Sequence, residues 1–341
     1  MKYDVTIGIP FYRSVDYIGQ TLESALSQTY PSIEFLLIDD AGGDGSLAVV
    51  KRIQETHLRG TSVRVISHDR NYGVSASRNH IIEEAKGEFL YFLDSDDVIV
   101  ENTIELLIQN IRQYDAEIAF GSYERQETTG KRTVCRYPSL RLLKKDELAK
   151  FAYRRYAGIQ ASACNYLVKT SLLRDHNFLF VEANYWEDLV FTFDLVTYIS
   201  RAVLLPDITY FYICRDNSLS HYQQRKHISK DEIMQNVRTI NHLKETSSVL
   251  YNKDYYPNRC FNIVMTDFYI VCNILKHRSE IKPSISSKEM REMMRHPAKF
   301  SQICHFRQSR WNNILLYTIG KVPPSLCVTI IWIVGKIKKL I

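Results

Sequence analysis

The sequence predicts an α/β fold, a mostly parallel sheet flanked by helices, followed by a helical C-terminal extension. Two observations predict it. Over the first hundred residues short β-rich runs alternate with amphipathic stretches, and beyond His221 apolar residues recur at spacings of three and four.

In chain order, strands are expected at 5–9, 33–39, 63–67 and 89–93, where Val, Ile, Phe and Leu dominate, and helices at 15–27, 46–55 and 74–85. Ligands of such sheets bind outside the carboxyl ends of the strands. Three of those ends carry Pro10-Phe11-Tyr12, Asp39-Asp40 and Asp94-Ser95-Asp96-Asp97, which describes a polar pocket with an aromatic wall. From 121 to 205 the pattern is mixed, with a strand near 163–168, helices near 144–153 and 189–199, and a strand at 210–214 beyond. Helices are expected at 228–250 and 255–277. The organisation is therefore an α/β domain over 1–225 and a helical region over 226–341.

Hydrophobic residues make up 45% and charged residues 24%, the proportions of a globular chain, and 22 Tyr with 15 Phe suit sites that stack on rings. Seven scattered cysteines without a CxxC pair argue against a disulfide framework or a zinc site. The N-terminal apolar run is cut at Pro10, too short for a signal peptide, so a cytoplasmic location is expected. The net charge of +6 is concentrated at one end, since from Met293 onward there are eight Lys or Arg and no Asp or Glu. Such a tail points to an anionic partner. Its apolar run 326–334, followed by Lys336, Lys338 and Lys339, falls short of the roughly 20 residues a span needs. A helix lying on the inner face of a membrane and a helix packed on its own domain are both open. Nucleic acid is disfavoured, because the cations flank an apolar segment rather than interleave with aromatics.

Three carboxylates in four residues at 94–97 repel one another unless a cation or strong donors compensate. Mg²⁺ or Mn²⁺ does so with one or two carboxylates, substrate phosphates completing the shell. Alternatively the cluster caps the helix expected at 102–112.

The strand Val5–Tyr12 (VTIGIPFY), the strand end Leu37-Ile38-Asp39-Asp40, Asn71-Tyr72-Gly73 followed by Ser77-Arg78-Asn79, and the LDSDD run resemble, in order and spacing, a family 2 glycosyltransferase of the GT-A fold. The resemblance is close over the first hundred residues and looser to about residue 220. It implies an inverting, metal-dependent enzyme moving a hexosyl or N-acetylhexosaminyl group from a nucleotide-sugar, UDP-linked by preference, to a glycan or lipid-linked acceptor. Pro10, Phe11 and Tyr12 would hold the base and Asp40 would accept from a base N–H. Arg78 would pair with the diphosphate, Asp96 would ligate the metal, Asp94 would contact the ribose or a metal-bound water, and Asp97 would cap the next helix. Of Tyr185-Trp186-Glu187-Asp188, Asp188 would be the base, with Trp186 and Glu187 on the acceptor. Arg215 and His221 would close over the donor. The chain departs from the family pattern at Ala41-Gly42-Gly43-Asp44-Gly45-Ser46, where Ser46 is expected to cap a helix.

A nucleotidyltransferase would carry a Gly-rich basic loop after its first strand, and Gly8-Ile9-Pro10-Phe11-Tyr12 has none. A catalytically inactive sugar-binding or assembly module of the same fold is the alternative.

Overall fold

The computed structural model describes residues 3–154, 158–183, 186–215 and 229–341. His221 lies outside them. The chain divides into two compact units, Met1–Leu148 with Ala161–Ser218, and Ala149–Gln160 with Leu219–Ile341.

The first unit contains β1 (Tyr3–Phe11), α1 (Ile18–Leu26), β2 (Ile33–Asp39), α2 (Ser46–Thr56), β3 (Val63–Ser67), α3 (Val74–Glu84), β4 (Gly87–Phe92), β5 (Val98–Ile99), α4 (Thr103–Tyr114), β6 (Ile118–Gln126), β7 (Arg132–Cys135) and β8 (Leu140–Leu142). After α5 (Glu147–Arg154) follow β9 (Tyr166–Lys169), α6 (Thr170–Asp175), α7 (Glu187–Leu195) and β10 (Ala202–Ile213). One sheet runs in the order β3-β2-β1-β4-β9-β6-β10-β5, with β7 on β6 and β8 on β10. Its β3-β2-β1-β4 half is parallel. There the order changes sense, as β9 enters antiparallel between β4 and β6.

The parallel half explains its own sequence. Every residue of β2 is buried, as is β1 from Val5 to Phe11, because helices cover both faces and no polar alternation is needed. Register aligns Phe11 with Asp39 and Gly8 with Phe92, so the ends of β1, β2 and β4 open on one edge. At the foot of the sheet Gly87 starts β4 where β1 leaves no room. Its amide donates to Thr6 Oγ1 at 2.8 Å, and a Cβ there would lie 2.3 Å from the Thr6 nitrogen.

Two expected caps fall elsewhere. Ser46 is the first residue of α2, and Asp44 does the capping: its Oδ1 accepts from the Ser46 amide (3.1 Å) and its Oδ2 from the Val15 amide (3.0 Å). Asp97 does not cap α4, which starts behind Asn102 without a side-chain cap.

The second unit holds α8 (Lys230–Thr246), α9 (Tyr256–Lys276), α10 (Ser287–Met293), α11 (Phe300–Cys304), α12 (Arg310–Ile319) and α13 (Pro324–Ile337). Ser229 and Glu232 form a capping box on α8, as Ser286 and Glu289 do on α10. A buried Lys244–Asp267 pair at 2.7 Å joins α8 to α9, and the same ammonium donates to the Met293 carbonyl at 2.6 Å. Among the described residues no helix is long and apolar enough to cross a membrane.

Because the neighbours of Gly87 are backbone atoms that cannot turn aside, Gly87→Ala is expected to destabilise the first unit by about 2–3 kcal/mol, read as a lower urea midpoint at unchanged slope.

Candidate active site

At the end of β2 two adjacent carboxylates have different duties. Asp40 is buried, and its Oδ1 accepts from the Tyr72 amide (2.9 Å) and faces His68 Nδ1 (2.7 Å) while its Oδ2 accepts from the Gly73 amide (2.8 Å). It thus pins the 68–73 loop that feeds α3, and Gly73, at φ +90°, lets the chain turn there. Asp39 is buried too, but its donors, the Gly42 amide and the Ser67 hydroxyl, stand at 3.5 and 3.4 Å. At the end of β1, Pro10 and the Phe11 ring are buried in the sheet, whereas Tyr12 is exposed with the Arg13 guanidinium 5.2 Å from its ring centre.

The acidic loop after β4 is gripped from three directions. Arg78, buried on α3, donates from Nη2 to Asp94 Oδ1 and from Nη1 to Glu187 Oε1, both at 2.7 Å, and lies over the Phe180 ring. Arg215, at the exit of β10, donates to the Asp96 carbonyl at 2.7 Å, stands 3.6 Å from Asp96 Oδ2 and stacks on Tyr17 at 3.7 Å. Asp97 turns inward, accepting from the Tyr210 hydroxyl (2.6 Å) and the Ile213 amide (2.7 Å), and so ties the loop to the strand that carries Arg215. Asp94 and Asp96 remain partly exposed. Buried atoms without an acceptor among the described residues include the Nε–H of both Arg78 and Arg215.

Opposite stands the start of α7. Trp186 precedes it at φ +63°, a left-handed conformation that a non-glycine residue adopts only when its surroundings impose it. Glu187 is buried on Arg78. Asp188 is half-buried, and its Oδ1 accepts from the Leu189 amide at 2.6 Å. Burial, then the neighbouring Glu187 charge, push the Asp188 carboxyl up to about 7 against the opposing pull of Arg78. Asp96 rises to about 6 through burial and the Asp94 charge, with Arg215 opposing, and Asp97 is pushed well above the carboxylate range by burial and both neighbours. The structure thus brings Arg78, Asp94, Asp96, Glu187, Asp188 and Arg215 into one network. It leaves Asp40 engaged with protein donors and the Phe11 ring in the core.

Among the described residues no three His, Cys, Asp or Glu side chains are grouped to hold a metal unaided. Asp94 and Asp96 supply two carboxylates, the set a Mg²⁺ or Mn²⁺ ion takes when phosphates provide further ligands.

The family model "Glycosyl transferase family 2" matches residues 6–172, from β1 to α6. Those residues are a family 2 glycosyltransferase domain. Glycosyltransferase GlyG of Streptococcus pneumoniae is 33% identical over 119 residues, 35% of this chain and 38% of that protein. The Escherichia coli protein WfaP, a UDP-Glc:alpha-D-GlcNAc-diphosphoundecaprenol beta-1,3-glucosyltransferase, is 36% identical over 35% of this chain and 44% of its own length. The chain therefore matches less than half of each. Residues 1–349 of TarS from S. aureus, crystallised with UDP-GlcNAc, share the fold with a TM-score of 0.57 at 17% identity, covering 93% of this chain and 90% of that one. The expected GT-A architecture with C-terminal helices is met.

Within this family 2 domain, sequence reasoning named the Asp39-Asp40 doublet without dividing its duties and missed Tyr17 and His68. The doublet Asp39-Asp40 does not say which carboxylate turns toward backbone amides, and Tyr17 meets Arg215 only through the folded chain. Arg78→Ala is expected to cost about 3–5 kcal/mol by leaving buried carboxylates unpaired. Arg78→Lys should recover only part of it, since one ammonium lacks the two-pronged reach. Thermal unfolding of both variants checks this.

Proposed function

We propose that the chain is an inverting glycosyltransferase that moves a hexosyl or N-acetylhexosaminyl group from a UDP-sugar to an acceptor hydroxyl on a lipid-linked glycan, in the assembly of a capsule, O-antigen or exopolysaccharide at the inner face of the membrane. One observation carries the reading. A carboxyl with its pKa raised to about 7, Asp188, stands in the same charge network as the Asp94–Asp96 pair, linked to it through Glu187 and Arg78.

In this reading Tyr12 and the backbone of Pro10 and Phe11 line the base. Asp39, with only long contacts of its own, takes the base N–H in place of Asp40, which holds the loop. Asp96 ligates Mg²⁺ or Mn²⁺ with Asp94 beside it, and the ion, when bound, stabilises charge on the departing diphosphate. The Nε–H groups of Arg78 and Arg215, which make no hydrogen bond among the described residues, are donors suited to phosphate oxygens. Glu187 keeps Arg78 in place while Trp186 offers a ring face to the acceptor sugar. Asp188 removes the acceptor hydroxyl proton as that oxygen attacks the anomeric carbon opposite the leaving UDP, so the single displacement inverts configuration. A base with a pKa near the working pH is matched to that proton.

Asp188→Asn is expected to lower kcat by roughly 10²–10⁴-fold while calorimetric UDP affinity stays within twofold, about 0.4 kcal/mol. In the unchanged chain kcat/KM should rise with pH and level off above about 7, following Asp188. The stability sign is opposite. A carboxyl whose pKa is higher folded than unfolded stabilises below about pH 4 and loses that contribution as pH climbs through 7. Asp188→Asn should therefore raise the melting temperature at pH 8 and leave it unchanged at pH 4.

Asp96→Ala should abolish Mn²⁺-dependent UDP binding in calorimetry without lowering thermal stability, since Asp96 is itself raised by burial and repulsion. Undiminished Mn²⁺-dependent binding would remove Asp96 from the metal site.

A further inference from the structure

Helix α13 is apolar on two opposite faces. Cys327, Val328, Ile331 and Gly335 are buried, on a helix that packs with α9 and α10. At 3.6 residues per turn, Leu326, Ile330, Ile333 and Ile337 form a second stripe on the far side. That stripe faces water: Leu326 and Ile333 are 47% exposed and Ile337 76%. Trp332 flanks it, also 47% exposed, with Lys336 Nζ 5.8 Å from its ring. Helix α12 repeats the arrangement, since Asn313, Leu316 and Ile319 are buried while Trp311 and Leu315 are 72% and 60% exposed.

A helix apolar all round ordinarily has both faces covered. The charge pattern says what covers this one. From Met293 to the end there are eight cations and no acid, so a second copy would bring like charge against like. A surface of anionic phosphates matches them. With 14 residues, about 21 Å of helix, α13 cannot span the roughly 30 Å hydrocarbon core.

We propose that the outward face of α13 seats the chain on an anionic lipid bilayer, the helix lying in the interface with its apolar stripe among the acyl chains and Lys336, Lys338 and Lys339 on the phosphates. The two readings that the sequence left open hold together, one for each face of the helix. Membrane docking takes its purpose from the lipid-linked acceptor proposed above, but it is measured without it.

Removing α13 would bare the residues it covers on α9 and α10, so outward point variants of the full chain are the test. The protein is expected to sediment with phosphatidylcholine vesicles containing phosphatidylglycerol, weakly with phosphatidylcholine alone, and less as salt rises. Ile333→Asp with Ile337→Asp should weaken that binding at least about tenfold, with the melting temperature and the UDP-sugar hydrolysis rate in solution unchanged. Lys336→Gln should weaken it about fivefold, the equivalent of about 1 kcal/mol for one charge near such a surface. Variant binding equal to that of the parent chain, or equal binding to neutral vesicles, overturns the proposal. So does a chain that binds neither vesicle and elutes as a dimer which Ile333→Asp dissociates. Lost hydrolysis with intact vesicle binding would instead sink the transferase reading alone.

Discussion

A guanidinium buried between two carboxylates is the constraint on which the first unit depends. Arg78 comes from α3, Asp94 from the end of β4 and Glu187 from the start of α7, and these elements meet at one group with 2.7 Å contacts to both acids. Taking a cation out of water is costly, and two charge-assisted hydrogen bonds of good geometry offset that cost only where both partners are fixed. The restraint therefore runs both ways. The acidic loop cannot swing out without stranding Arg78, and α7 cannot shift without releasing Glu187, so Asp188 beside it inherits its position from Arg78.

Arg78 is not enough to neutralise its surroundings. Among the described residues, Asp94, Asp96, Asp97, Glu187 and Asp188 cluster around the guanidiniums of Arg78 and Arg215, five carboxylates against two cations. The raised pKa values of Asp96, Asp97 and Asp188 express that excess, with burial as the leading cause in each. Asp97 shows that excess acid need not be catalytic. Its two short bonds, from the Tyr210 hydroxyl and the Ile213 amide, fasten β10 to the loop and bring Arg215 back over Asp96 and Tyr17.

How much of this the sequence discloses follows from the range of each interaction. Strand β2 begins and ends where apolar composition says, since a parallel strand buried on both faces is a near-continuous hydrophobic run, and the edge strand β3 is marked by its β-branched residues although only Val63 of it is buried. The strand ends, the acidic loop and Asp188 are legible for the same reason: each is a local cluster at a local boundary. Strand β6 is not, because Ile118–Gln126 passes from buried apolar to polar without a clean period. Nor are the pairings across the site. Arg78 and Glu187 are 109 residues apart, and the choice of guanidinium partners is made by packing. The division of labour between Asp39 and Asp40 is decided by which side chain points at the 68–73 loop, a matter of register rather than composition.

The charge excess also links the two halves of the proposed reaction. Asp94 is among the charges that raise the Asp188 pKa, so a cation held between Asp94 and Asp96 would offset part of that rise. Neutralising Asp94 must lower the Asp188 pKa, and by reciprocity ionising Asp188 must tighten cation binding at Asp94. In the proposed reaction the ionised form of Asp188 is the one that takes the acceptor proton. A cation on the acidic pair favours that form, whereas the anionic diphosphate of a donor by itself does not. Arg78 is what makes such a link local: it holds Asp94 and Glu187 on one rigid group, so charge placed at the acidic loop is felt at the start of α7 through a fixed path rather than through solvent.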